Sequence, residues 1–224
     1  ASPKSFLVRL EREGETVRID HAYELMSLGV LLGLSIGDDG DLYYATGSPD
    51  PDITVEDPPK GAYRKDIARL LKFDRAGEVS YDIDVDIARS QFSDQPEQVI
   101  APGKASTGRL LAGGDEVMLI HGINTPPDEN GTRHQKSLST LFDRSTGDVL
   151  RTESLWVSHS FDQRLLYDGK GFIELHLGDA YPRTVVFGRT TGDEVSSAYT
   201  LMHVKGETGA NNTFTRLGNF VQST

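Results

Sequence analysis

The chain contains no cysteine among its 224 residues. Disulfides, thiol catalysis and cysteine-based zinc sites are therefore excluded, although the compartment is not fixed by this alone. No apolar run approaches the roughly 20 residues that a membrane-spanning helix needs, so membrane insertion is not expected. The opening ASPKSF lacks the basic start and apolar stretch of a signal peptide, so an exported protein would already have lost one. Basic residues are outnumbered, 23 against 34 acidic, and the formal net charge is −11. That balance repels phosphate and argues against nucleic acid or an anionic membrane as a partner. Acidity of this kind serves solubility or cation binding. Helical periodicity is nearly absent, which disfavours a doubly wound α/β fold. No phosphate loop, dinucleotide fingerprint or GxSxG nucleophile elbow is present.

What remains is rich in turns, with 23 glycines and ten prolines. Residues 156–195 show one complete unit: strand, Asp-Gly turn, strand, polar loop, strand, Gly turn, strand. Degraded copies recur. The later turn repeats as LEREGE, FDRAGEV, FDRSTGDV and FGRTTGDEV, with Gly at 14, 77, 147 and 192. The earlier one repeats as DDGDLYYATG, AGGDEVMLIHG and YDGKGFIELHLG. In both turns, Asp caps with its side chain and Gly supplies positive φ. Four-stranded antiparallel units at irregular spacing predict a β-propeller with variable loops.

The expected organisation is a partial blade over 1–28, blades over 29–87, 106–154 and 155–201, and the start of a further blade over 213–224. The blade count leads to one expectation about the assembly: this chain is an incomplete propeller, finished by a second chain or segment. Residues 47–63 form a Pro- and Asp-rich loop, long for a compact domain and therefore a candidate functional element. The alternation Asp82-Asp84-Asp86 puts three carboxylates on one strand face and reads as a solvated outer strand guarded against edge pairing.

SHSFDQRLLYDG followed by HLGDAYPR resembles the blades of bacterial, often exported, β-propeller repeat proteins over roughly residues 156–187. The resemblance implies a propeller and an extracellular or periplasmic location. It implies little about activity, because function resides in the site rather than the fold.

Within that unit lie the side chains with the most chemistry. His159, Asp179 and Arg183 are the candidate catalytic set, and Asp162, Tyr181 and His121 the candidate ligand-binding set. His159, His176 and Asp179 are the candidate ligands of a divalent cation, calcium or another metal. Their spacing matches no specific metal motif. A structural reading stands beside each: Asp179 accepts hydrogen bonds from backbone and arginine, Pro182 fixes a bend, and His159 caps a strand end. Serines 158 and 160 flank His159 without forming a nucleophile motif. The preferred functional expectation is a binding or scaffold protein that recognises a small molecule, glycan or protein at the channel mouth. The alternative is a metal-assisted or acid–base hydrolase or lyase.

Overall fold

A computed structural model describes residues 5–25, 30–49, 66–86, 101–102, 108–127, 133–153, 162–178, 183–191, 194–204 and Leu217. The fold is all-β, and no helix occurs among the described residues. Alternating apolar and polar residues, broken by Asp-Gly turns, give strands joined to their sequence neighbours. β1 (Ser5–Glu13) and β2 (Thr16–Leu25) make a two-stranded hairpin. β3 (Val30–Ile36), β4 (Leu42–Pro49), β5 (Asp66–Phe73) and β6 (Val79–Asp86) form a four-stranded antiparallel sheet in chain order.

The short β7 (Ala101–Pro102) and β8 (Arg109–Gly113) pair with opposite ends of β9 (Glu116–Pro127). They are followed by β10 (Arg133–Asp143) and β11 (Val149–Glu153) in the same antiparallel sheet. The last sheet runs β12 (Asp162–Tyr167), β13 (Phe172–Gly178), β14 (Arg183–Thr191) and β15 (Glu194–Val204), again antiparallel and in order. Each sheet is thus drawn from one continuous stretch of chain. Among the described residues the sheets do not close into a ring, and none curls on itself.

Turn chemistry accounts for the repeated motifs. Gly147 and Gly169 adopt φ of 80° and 87°, a region that other residues enter only at a cost. Asp143 accepts hydrogen bonds from the Ser145 hydroxyl and from the Ser145 and Thr146 amides, at 2.6, 2.8 and 2.9 Å. Those bonds hold its carboxyl down at about 2. Asp168 caps Lys170 and Gly171 in the same way. Gly192 lies outside the described residues.

The three larger sheets stack face to face. Between the first and second lie Leu32, Tyr43, Leu70, Val117, Leu119 and Phe142. Met118, Ile120, Leu141 and Phe172 fill the next interface. The middle sheet is therefore covered on both faces. This is why Val117, Met118, Leu119 and Ile120 are all buried and their stretch reads as a continuous apolar run. Each large side chain sealed here contributes about 1.5–3 kcal/mol relative to exposure.

The sheets touch mainly through their first strands, with β8 lying against both β3 and β12. The approach of β3 to β8 requires glycine. A Cβ at Gly33 would come within 2.5 Å of the Leu110 Cβ, and one at Gly108 would fall on the Leu32 carbonyl. The hairpin packs on the opposite face of β3–β6. There Tyr23 meets Phe73 edge-on at 4.9 Å, and His21 sits against Gly77. β6 is the edge strand of its sheet. Asp82 pairs with Arg69, and Asp84 is exposed.

Candidate functional site

In an antiparallel sheet taken in chain order, the first and third connections leave from one end, the second and the exit from the other. The first end here carries only tight turns. The other, loop-bearing end is where β4 stops and β5 starts, and likewise β9 and β10, β11 and β12, and β13 and β14. Of the candidate site residues, Asp162 opens β12 at this end. His159, Asp179 and Tyr181 lie outside the described residues, and Arg183 opens β14.

Asp162 opens β12, the first strand of the last sheet. Its carboxylate accepts the Leu217 amide at 2.6 Å and a hydrogen bond from Arg164, which also donates to the Leu217 carbonyl. Asp162 and Arg164 thus tether the main chain at Leu217 beside β12.

His121 and His176 do not come together. Strand alternation puts His121 on the β3–β6 side of the middle sheet, paired across the ladder with Leu138. His176 lies in the interface on the other side of that sheet. His121 is fully buried, and its ring Nδ1 lies 3.3 Å from the Gly122 carbonyl. Burial lowers its pKa to about 4, so it is neutral at pH 7. This makes stability pH-dependent. Between about 6.5 and 4 the unfolded chain binds a proton there that the folded chain does not. The contribution is complete above the unfolded value and is lost as pH falls through that window. A loss of roughly 3 kcal/mol is expected across it. Urea titrations of the wild type and His121→Leu, between pH 7.5 and 4.5, should show the variant with the flatter slope. Parallel slopes would refute the assignment.

His176 belongs to a buried polar line joining two sheets. Its Nδ1 is 3.0 Å from the Ser137 hydroxyl on β10, and its Nε2 is 3.1 Å from Oε2 of Glu174. The Gln163 amide donates to Ser137 at 2.9 Å, and Ser139 donates to Glu174 at 2.7 Å. Thr190 donates to the other Glu174 oxygen at 3.2 Å. With a proton on Nε2, His176 donates to Glu174 while its Nδ1 meets the Ser137 hydroxyl. A serine–histidine–carboxylate line has the parts of an acid–base relay. Here, however, Ser137 and His176 have no exposed surface and Glu174 has almost none. Its bonds cross from β10 to the last sheet, so the line zips the two sheets together.

Sequence reading picked out His176 and missed Glu174, Gln163, Ser137 and Ser139. The available signal was alternation. In FIELHL, Glu174 and His176 share a face with the core residue Phe172, so two polar groups point inward.

At the turn-bearing end a second polar site lies between the first two large sheets. A cavity of about 440 Å³ is lined by Asp39, Lys72, Asp115, Asp143, Arg144 and Ser145, among others. Arg144 donates to the Tyr43 hydroxyl at 2.9 Å and to the Gly114 carbonyl at 2.7 Å. It also reaches Asp38 and Asp39 at 2.7 and 2.6 Å. Lys72 pairs with Asp41 at 3.0 Å. Both cations are thus already matched to carboxylates. Among the described residues, no group of three or more His, Asp or Glu side chains is placed to hold a metal ion. No described helix is long and apolar enough to cross a membrane.

No protein-family model matches the chain, and no curated protein matches it.

Proposed function

We propose that the stacked sheets are blades of a β-propeller completed by another chain or segment. In this reading the protein binds a small molecule, glycan or protein at its loop-bearing end. The observation that carries the reading is the placement of first strands. β3, β8 and β12 follow one another side by side at the sheet contacts, as the inner strands of consecutive blades would. The long connections then gather around one mouth, where binding residues can vary without disturbing the blades. The alternative is an acid–base or metal-assisted site using His159, Asp179 and Arg183. His121 and His176 lend it no support, because they are sealed in separate interfaces.

Thermal-shift screening of glycan, peptide and small-molecule libraries, with and without a chelator, followed by calorimetry, tests this. The expected result is a ligand whose binding is lost when residues 50–65 and 128–132 are replaced by short Gly-Ser linkers. Binding indifferent to both replacements would refute the loop-end site. Substrate turnover abolished by His159→Ala and Asp179→Ala in folded protein, or stoichiometric metal whose removal lowers stability, would establish the alternative instead.

A further inference from the structure

The hairpin β1–β2 is the odd member of the fold. Each of the other sheets runs to four strands or more among the described residues, and this one has two. It covers only part of the sheet face on which it sits. On that face Leu71 and Phe73 of β5 are buried. The same face continues inward across β4 to β3, where Leu34 and Ile36 stay 50% and 70% exposed. An apolar groove of about 350 Å³ runs along this boundary, lined by Leu7, Val8 and Leu10 of β1 and by Leu34, Ile36 and Leu42. Among the described residues, one wall is therefore a strand with an unpaired edge, and the floor is the uncovered half of an apolar sheet face.

We infer that this groove is a docking slot for two antiparallel β-strands from another segment, the outer one pairing with the free edge of β1 and the inner one lying on β3. The inference rests on the proposed reading of the sheets as blades and specifies where the completing strands bind. Three observations favour such an occupant. The slot continues the existing interface between the hairpin and β3–β6. Among the described residues the hairpin has two strands where the sheet it packs on has four. An exposed edge beside apolar side chains is the arrangement by which strand addition combines main-chain hydrogen bonds with side-chain pockets. The incoming strands must alternate, with apolar side chains toward Leu34 and Ile36. A second copy of the chain fits poorly. Antiparallel pairing of two β1 edges has its two-fold axis perpendicular to the sheet, so both copies' β3–β6 sheets would compete for one face of the joined strands.

The test uses a fluorescein-labelled peptide of residues 30–46 as probe. In their own sheet these residues make the two contacts the slot requires, with β4 pairing to β5 and β3 lying against the next sheet. Anisotropy titration of the full chain should show saturable one-to-one binding. Leu34→Asp and Ile36→Asp should each weaken it at least about tenfold, since a carboxylate in an apolar contact loses more than the 1.4 kcal/mol of one decade. Both positions are exposed, so circular dichroism and melting should be unchanged. Leu150→Asp, on the exposed surface of β11, should bind like the wild type. Absent saturation, equal binding by both slot variants, or equal loss in the Leu150 control would overturn the inference. So would a chain dimer that Leu34→Asp dissociates. The readout needs no loop-end ligand, so failure of the loop-replacement experiment and failure here are separate results.

Discussion

Glu174→Leu is expected to lower folding stability by roughly 3–5 kcal/mol, among the largest effects of any single substitution in this chain. The carboxylate collects three donors, from His176, Ser139 and Thr190, in an interface with almost no solvent contact. Removing it strands the imidazole N–H and two hydroxyls, and a buried donor left without a partner costs about 1–3 kcal/mol. Glu174→Gln should cost far less. Its carbonyl can accept from His176 and Ser139, and its amide can donate to the Thr190 hydroxyl, which rotates to accept. Replacing the line as a whole, with Glu174→Leu, His176→Leu, Gln163→Leu, Ser137→Ala, Ser139→Ala and Thr190→Val together, should recover part of the loss. Apolar groups of similar shape leave nothing unsatisfied. Urea midpoints at pH 7 measure all three. A single Glu174→Leu variant within about 1 kcal/mol of wild type would show that the line does not hold the sheets together.

Arg144→Met should cost roughly 2–4 kcal/mol by a different route. The guanidinium is nine-tenths buried and serves two sheets at once, donating to Tyr43 in one and to Gly114 in its own. Asp38, which it also meets, is 84% exposed, so that ion pair adds little by itself. The loss comes mainly from the Tyr43 hydroxyl left without this donor between packed sheets, since Gly114 lies in an exposed turn where water can replace the guanidinium. Arg144→Lys should rescue poorly, because a single ammonium cannot present the planar fork that reaches both acceptors and the carboxylates. Tyr43→Phe alone should cost about 1 kcal/mol, and the double variant should lose less than the sum of the singles. Strict additivity in that cycle would argue that the two side chains act independently.

The FDR and FGR turn motifs show how a local pattern can hide a long-range role. Their Asp and Gly are readable from sequence, because a carboxylate capping the next amides and a glycine at positive φ act within four residues. The arginine that follows is not readable in this way. Arg189 stays within its own sheet, on Asp168. Arg144 crosses to Tyr43, 101 residues earlier. The same limit applies to the histidines. HG at 121–122 and HLG at 176–178 sit at similar positions of the repeat and both histidines face the preceding sheet, so each is sealed in a different interface and the two never meet.

By itself, then, the sequence determined the strands, their turns and the grouping into antiparallel four-stranded units. These depend on alternation and on side chains bonding their own backbone, interactions that span a few residues. The tertiary structure alone decided which faces are sealed and which groups meet across them. The middle sheet is buried on both sides, Glu174 gathers donors from three strands, and β3 is left half uncovered. Those outcomes depend on how one sheet stacks on the next, and the periodicity of a strand records that a face is apolar without recording what covers it.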